Sequence, residues 1–289
     1  MERLGHNKVN DTRECMVVVY MPTYNHERYI HKAINGVLMQ QTDHSLKLII
    51  AEDHSTDRTR DICIEYKQKY PEIIELILAA KNTNAMIRRK LYERCYETNA
   101  KYIAFCEGDD HWTDPLKVQR QVDFLESHPE YSLCFHNTIV ERDGFENNGE
   151  PYLHITHDRS ELTLEDMIRT HVSGGPMLAG HTSSCVARNR EVIGNLPEWF
   201  FDIISADLAL FVLWGRSGKI HCMSHVMSKH IRHPNGESVK TYKERDILIG
   251  RIEQCQHYKT VLDIKYHAII DEVCAQYGQR LREKYTEYV

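Results

Sequence analysis

Between residues 16 and 106 the chain alternates short β-branched runs with helical stretches, and few folds accept that pattern. Met16 to Met21 reads as a strand, followed by a helix from about Glu27 to Met39. Leu46 to Ala51 is a second strand. Ser55, Thr56 and Asp57 then cap a helix carrying Ile62, Ile64 and Tyr66, which Pro71 stops. Ile73 to Leu78 gives a third strand, a polar helix covers about Ala85 to Glu97, and Tyr102 to Cys106 is the fourth strand. The alternation predicts an α/β fold whose mostly parallel sheet is covered by helices on both faces.

Sheets of this kind present their binding turns beyond the carboxyl ends of the strands. Here those turns are Pro22-Thr23-Tyr24-Asn25, Glu52-Asp53-His54-Ser55, Lys81-Asn82 and Glu107-Gly108-Asp109-Asp110, all polar. The last closes an apolar run and is followed by His111-Trp112 and the Asp114-Pro115 turn. Carboxylates grouped where a strand stops can converge on a divalent cation, which usually holds phosphate oxygens as well. The alternative is a solvated acidic turn. No G-x-G-x-x-G follows the first strand. Gly175 to Gly180, followed by His181-Thr182, lacks the lysine of a P-loop and reads as a flexible loop. A nucleotide would therefore be held by side chains and metal.

Composition narrows the partners. The formal net charge of −6 argues against nucleic acid, although 18 histidines make the balance pH-dependent. No run of 18 apolar residues occurs and the first residues carry no apolar signal core, so a cytoplasmic protein that does not span a membrane is expected. Nine cysteines without a C-x-x-C pair read as buried free thiols.

Past residue 130 the alternation loosens. Tyr131 to Val140 and His181 to Ala187 read as strands, with a polar exposed loop or lid from Glu141 to Ser160 between them. Asp207 to Trp214 is an apolar helix, Ile220 to Met227 is extended, and Arg232 to Gly236 forms a turn. The tail from Thr241 to Val289 is helical, with Ile247, Ile252, Cys255, Leu262, Ile269, Val273, Tyr277 and Leu281 spaced to pack back on the domain. Peripheral membrane contact or a homodimer through this tail ranks second, since no basic face supports docking to a membrane.

Together these segments resemble a family 2 glycosyltransferase, an inverting family with the GT-A fold. The resemblance rests on Val17 to Asn25, with its P-T-Y-N turn. It continues through Ile49 to Thr59, similar to the family's D-D-G-S-T-D-x-T segment, and through Glu107-Gly108-Asp109-Asp110 at the D-x-D-D position. Trp112-Thr113-Asp114-Pro115 and Lys117 follow as in one bacterial branch, and Ala206-Asp207 with Gly218-Lys219-Ile220 resembles the acceptor-side segment. It implies a GT-A domain over residues 1–240, with a nucleotide half at about 15–130, an acceptor half at 131–240 and a helical extension at 241–289.

The resemblance also assigns roles. Asp53 would recognise the nucleotide base, with Pro22, Thr23, Asn25 and Asn82 lining the same pocket. Asp109 would bind Mn²⁺ or Mg²⁺, Glu107 would face metal or ribose, and Asp110 would support them. His233 would touch metal or diphosphate, although Ile231 stands where the family often has an arginine. Asp207 would be the general base, with Asp202 as fallback, and Trp112 and His181 would lie toward the acceptor. The implied reaction moves a sugar from a nucleotide-diphosphate donor, UDP by default, to a hydroxyl of a saccharide or lipid-linked saccharide in surface glycan synthesis. A degenerate transferase retained as a scaffold is the alternative. A sugar-1-phosphate nucleotidyltransferase is a poorer match, because Pro22 to Asn25 replaces its glycine-rich loop.

Overall fold

Val17, Val18, Val19 and Met21 are fully buried, as a strand covered on both faces must be. They belong to β1 (Val17–Thr23) in a computed structural model that describes residues 15–170, 177–236 and 243–285. β2 (Leu46–Glu52) and β4 (Tyr102–Phe105) flank β1 in parallel, and β3 (Ile74–Leu78) lies outside β2. The crossovers are α1 (Ile30–Leu38), α2 (Thr59–Lys69) and α3 (Ala85–Glu97).

Then follow β5 (His111–Trp112), α4 (Lys117–Ser127), β6 (Tyr131–Arg142), β7 (Tyr152–Leu153), β8 (Glu161–Leu162), α5 (Leu164–Arg169), β9 (Val186–Arg188), α6 (Asn189–Ile193), α7 (Ala206–Ser217) and β10 (Lys219–Arg232). The sheet runs β3-β2-β1-β4-β9-β6-β10-β5, with β7 on β6 and β8 on β10. Its long pairings are parallel, β6 with β10 included, and the antiparallel ones span only two or three residues.

Alternation along β1 splits the core into two layers. Val17, Val19 and Met21 pack with α1, α2 and α4, while Val18 and Tyr20 face α3 and α7. The C-terminal helices α8 (Glu244–Val261) and α9 (His267–Lys284) join the second layer through Leu248, Cys255, Tyr258, Ile270, Val273 and Tyr277. Gln254 on α8 donates to the Ser205 carbonyl at 3.1 Å, just before α7. None of the nine cysteines forms a disulfide, and seven are buried.

Several expected boundaries move. The first helix starts at Ile30 because residues before it are spent on a turn, with Asn25 at φ 55° and the Glu27 amide bonded to Asp57. His181 to Ser184 is not extended: Thr182–Ser184 is a 3₁₀ turn, and β9 begins only at Val186. β10 runs on to Arg232, because its far end still pairs with β6 and β5. The polar stretch after β6 is irregular apart from β7 and β8, and α4 to α6 were not anticipated. The glycine loop from Gly175 and the start and end of the tail lie partly outside the described residues.

Gly36 shows how tightly α1 seats on this frame. A Cβ there would lie 2.9 Å from both the backbone nitrogen and oxygen of Trp112. Glycine to alanine in a helix normally gains about 1 kcal/mol. Gly36→Ala is expected to lose roughly 1–3 kcal/mol instead, because the obstacle is backbone in β5. Urea unfolding of both proteins measures the sign.

Candidate functional site

The turns after β1 and β2 are fastened to each other before any ligand is considered. Asn25 Oδ1 accepts the Thr56 amide at 2.8 Å, and the Asn25 amide donates to Ser55 Oγ at 2.9 Å. The Thr23 carbonyl accepts the Asp53 amide and the Pro22 carbonyl accepts the Gly108 amide, each at 3.0 Å. Glu52, fully buried, holds Arg60 and the Ser55 amide. Asp53 is also buried. Its carboxylate receives the Thr83 amide at 2.9 Å and the Asn84 amide at 2.6 Å, so it caps the approach to α3 rather than α2. Asn82 donates to the Asp53 carbonyl at 3.3 Å.

The acidic turn lies against the end of β10. β5 pairs antiparallel with Ser228 and Lys229, which carries the residues beyond them across the turn. Asp109 Oδ2 stands 3.1 Å from His233 Nε2 and 3.6 Å from His26 Nε2, and one donor atom from each residue lies within 4.8 Å of the others. Burial alone would raise the Asp109 carboxyl, but the facing His26, His230 and His233 hold it below the usual carboxylate range.

Beside it, Asp110 is 1% exposed. Its Oδ1 accepts the Ile231 amide at 3.0 Å and meets His230 Nδ1 at 2.9 Å, while Oδ2 lies 3.2 Å from His181 Nδ1. Burial would lower the His230 ring, yet Asp110 keeps it above its ordinary value. Burial and the His230 charge push His181 well below.

Glu107 has a buried Oε2 without a hydrogen-bond partner. Burial first, and the Asp110 charge second, push its carboxyl up to about 8, against a hydrogen bond from Thr182. An orphaned carboxylate oxygen next to a His₂Asp set fits a divalent cation: the donors are borderline to hard, and Asp109–His233 has the separation of neighbouring ligands on bonds of roughly 2.1 Å.

Trp112 is 1% exposed and offers no face to a sugar. Its Nε1–H donates to the Ser183 carbonyl at 2.8 Å and the Phe105 carbonyl at 3.2 Å, so it underpins the turn. Lys117, fully buried, stacks its ammonium 4.2 Å from the Trp112 ring centre and donates to Gln121 Oε1 at 2.8 Å. Asp207 sits exposed in the first turn of α7. Its charge reaches His154, whose ring is edge-on to His181 at 5.9 Å. His26 and His230 escaped the sequence reading, since nothing local distinguishes them among 18 histidines. A cavity of about 290 Å³ adjoins this site, lined by Arg28, Tyr29, Lys32, His111, Glu141 and Arg142 among others, and Tyr29 also stacks on His233.

The order of these turns is matched by a known family: the profile of Glycosyl transferase family 2 covers residues 18–193. The chain belongs to that family. An uncharacterized protein of Mycobacterium tuberculosis is 32% identical over 224 residues, 77% of this chain and 60% of its own length. The putative teichuronic acid biosynthesis glycosyltransferase TuaG of Bacillus subtilis is 30% identical over 161 residues, 55% of this chain and 59% of its own. The chain therefore spans about three-fifths of the curated relatives it matches. Among solved structures, S. aureus TarS 1–349 in complex with UDP-GlcNAc superposes with a TM-score of 0.64 at 18% identity, over 93% of this chain and 73% of that one. The fold is of the GT-A type. No helix among the described residues is long and apolar enough to cross a membrane.

The packing beneath the site carries a pH signature. Burial pushes the Lys117 ammonium down from 10.5 to about 8. Between those values the unfolded chain keeps a proton that the native state gives up. Native stability should therefore rise with pH across that window and be level below it, where both states hold the proton. Lys117→Met is expected to remove this rise, which urea midpoints of both proteins over the same pH range would show.

Proposed function

We propose that this chain is a metal-dependent, inverting glycosyltransferase that moves a sugar from a nucleoside-diphosphate donor to a hydroxyl of a saccharide or lipid-linked saccharide. The observation that carries the reading is the convergence of Asp109 and His233, 124 positions apart in sequence and 3.1 Å apart in space, beyond the carboxyl ends of parallel strands. UDP-GlcNAc in the complex of the similar fold TarS supports a nucleotide-sugar donor, with UDP the first nucleotide to test. The likeness to TuaG supports a role in surface polysaccharide synthesis.

In this reading Asp109 and His233 hold Mn²⁺ or Mg²⁺, with Glu107 toward metal or ribose. When bound, the cation offsets the charge that builds on the diphosphate leaving group. Pro22, Thr23, Asn25 and Asn82 shape the base pocket. Asp53 reads the base from a carboxylate that already accepts the Thr83 amide and hydroxyl and the Asn84 amide. Asp207 takes the proton of the acceptor hydroxyl as its oxygen bonds to the anomeric carbon and the bond to the diphosphate breaks. Asp110 and Trp112 support the turn, and His181 faces the acceptor side.

Calorimetric titration with UDP, GDP, dTDP and CDP, each with Mn²⁺ and with EDTA, tests the donor site. One nucleotide is expected to bind, and only with metal; binding of none would refute the proposal. Asp207→Asn is expected to cut turnover by about 10²–10⁴-fold while leaving nucleotide affinity unchanged. Joint loss of turnover and affinity would mark Asp207 as structural.

A further inference from the structure

The two histidine clusters beside the acidic turn differ in a way that bears on cation binding. His181 and His230 stack nearly parallel, 3.9 Å apart at 24°. Asp110, His181 and His230 also offer one donor atom each within 4.8 Å of the others, but lone pairs lie in the ring plane, so two nearly parallel rings aim side by side rather than at one point. That pair shares Asp110, whose Oδ1 meets His230 and whose Oδ2 lies 3.2 Å from His181. His26 and His233 instead cross at 88° with centroids 5.9 Å apart, and both Nε2 atoms approach the same Asp109 oxygen. Three donors then face one point from different directions.

His26 is also held for this purpose. Its Nδ1 lies 3.2 Å from Thr23 Oγ1, and an Nδ1–H donated there leaves the lone pair on Nε2, the arrangement that orients a ligating imidazole. Its backbone amide donates to Thr59 Oγ1 at 2.8 Å. Gly108 lets the acidic turn close over it, since a Cβ there would lie 2.4 Å from Thr23 Oγ1 and 2.9 Å from His26 Nδ1. His233 is 3% exposed and stacks on Tyr29 at 4.8 Å.

Hard-cation sites that serve phosphates typically offer one or two carboxylates and leave the rest to water and substrate. Two imidazoles and a carboxylate suit a borderline ion such as Co²⁺, Zn²⁺ or Mn²⁺ better than Mg²⁺. We infer that His26 is the third protein ligand of the Asp109–His233 site, which takes a borderline divalent cation before any nucleotide arrives and discriminates against Mg²⁺. This rests on the cation role proposed above for Asp109 and His233.

The test is a Co²⁺ titration of the nucleotide-free, full-length protein, followed by the visible absorption of the bound ion. Saturable binding is expected, undisturbed by a hundredfold excess of Mg²⁺ and weakened about tenfold or more in His26→Gln. Equal Co²⁺ affinity in His26→Gln, or ready displacement by Mg²⁺, would overturn the inference. Failure to take up Co²⁺ without UDP, while UDP still binds with Mn²⁺, would also overturn it and leave the proposed function standing. Loss of both would sink the two together. Should His26→Gln fold poorly, the wild-type protein decides: Zn²⁺ must shift the His26 ring nitrogen resonances, and unmoved signals exclude it as a ligand.

Discussion

The buried carboxylate of Asp110 is the joint on which the candidate site turns. A charge at 1% exposure is tolerable only with partners in place, and Asp110 finds them on a strand 120 positions away. By accepting the Ile231 amide and His230 it sets the end of β10 against the acidic turn. That placement, rather than anything local to His233, brings its ring to Asp109. The register slips in β10 between Met223 and Ser228 fall just upstream, where bulges commonly re-aim a strand near a site.

The turns after β1 and β2 depend on a second kind of constraint. Asn25, Glu52 and Asp53 spend most of their hydrogen bonds on neighbouring backbone, so these turns are rigid before ligand binds. Rigidity of this sort limits the reorganisation that binding would cost. It also means that a substitution at Asp53 removes a helix cap whatever else it changes.

Much of this was legible in the chain, and the reasons differ from place to place. β1 to β4 stood out because β-branched runs broken by polar turns leave little alternative, and the acidic turn was visible as a run of carboxylates. The helix at Lys117–Ser127 was missed although Val118, Val122 and Leu125 recur at helical spacing. His181 to Ser184 misled because apolar neighbours suggested a strand, while the Ser184 hydroxyl and the His181 ring bond the backbone of a 3₁₀ turn. His26 and His230 were beyond reach for another reason: their significance lies wholly in contacts made across the fold. Trp112 was expected toward the acceptor, and only its burial in the fold places it beneath the turn instead.

Gln254 ties the C-terminal helices to the other side of the site. It reaches the Ser205 carbonyl from α8 and is itself braced on Tyr258, so the residue two before Asp207 is held by the tail. α8 meets the start of α7 through this hydrogen bond and through Gly250, which packs on Ile204. Among the described residues, the turns after β1 and β2, fastened to one another, have no such hydrogen bond to α8. A change in α8 is therefore expected to be felt at the start of α7 before it is felt at the turns after β1 and β2.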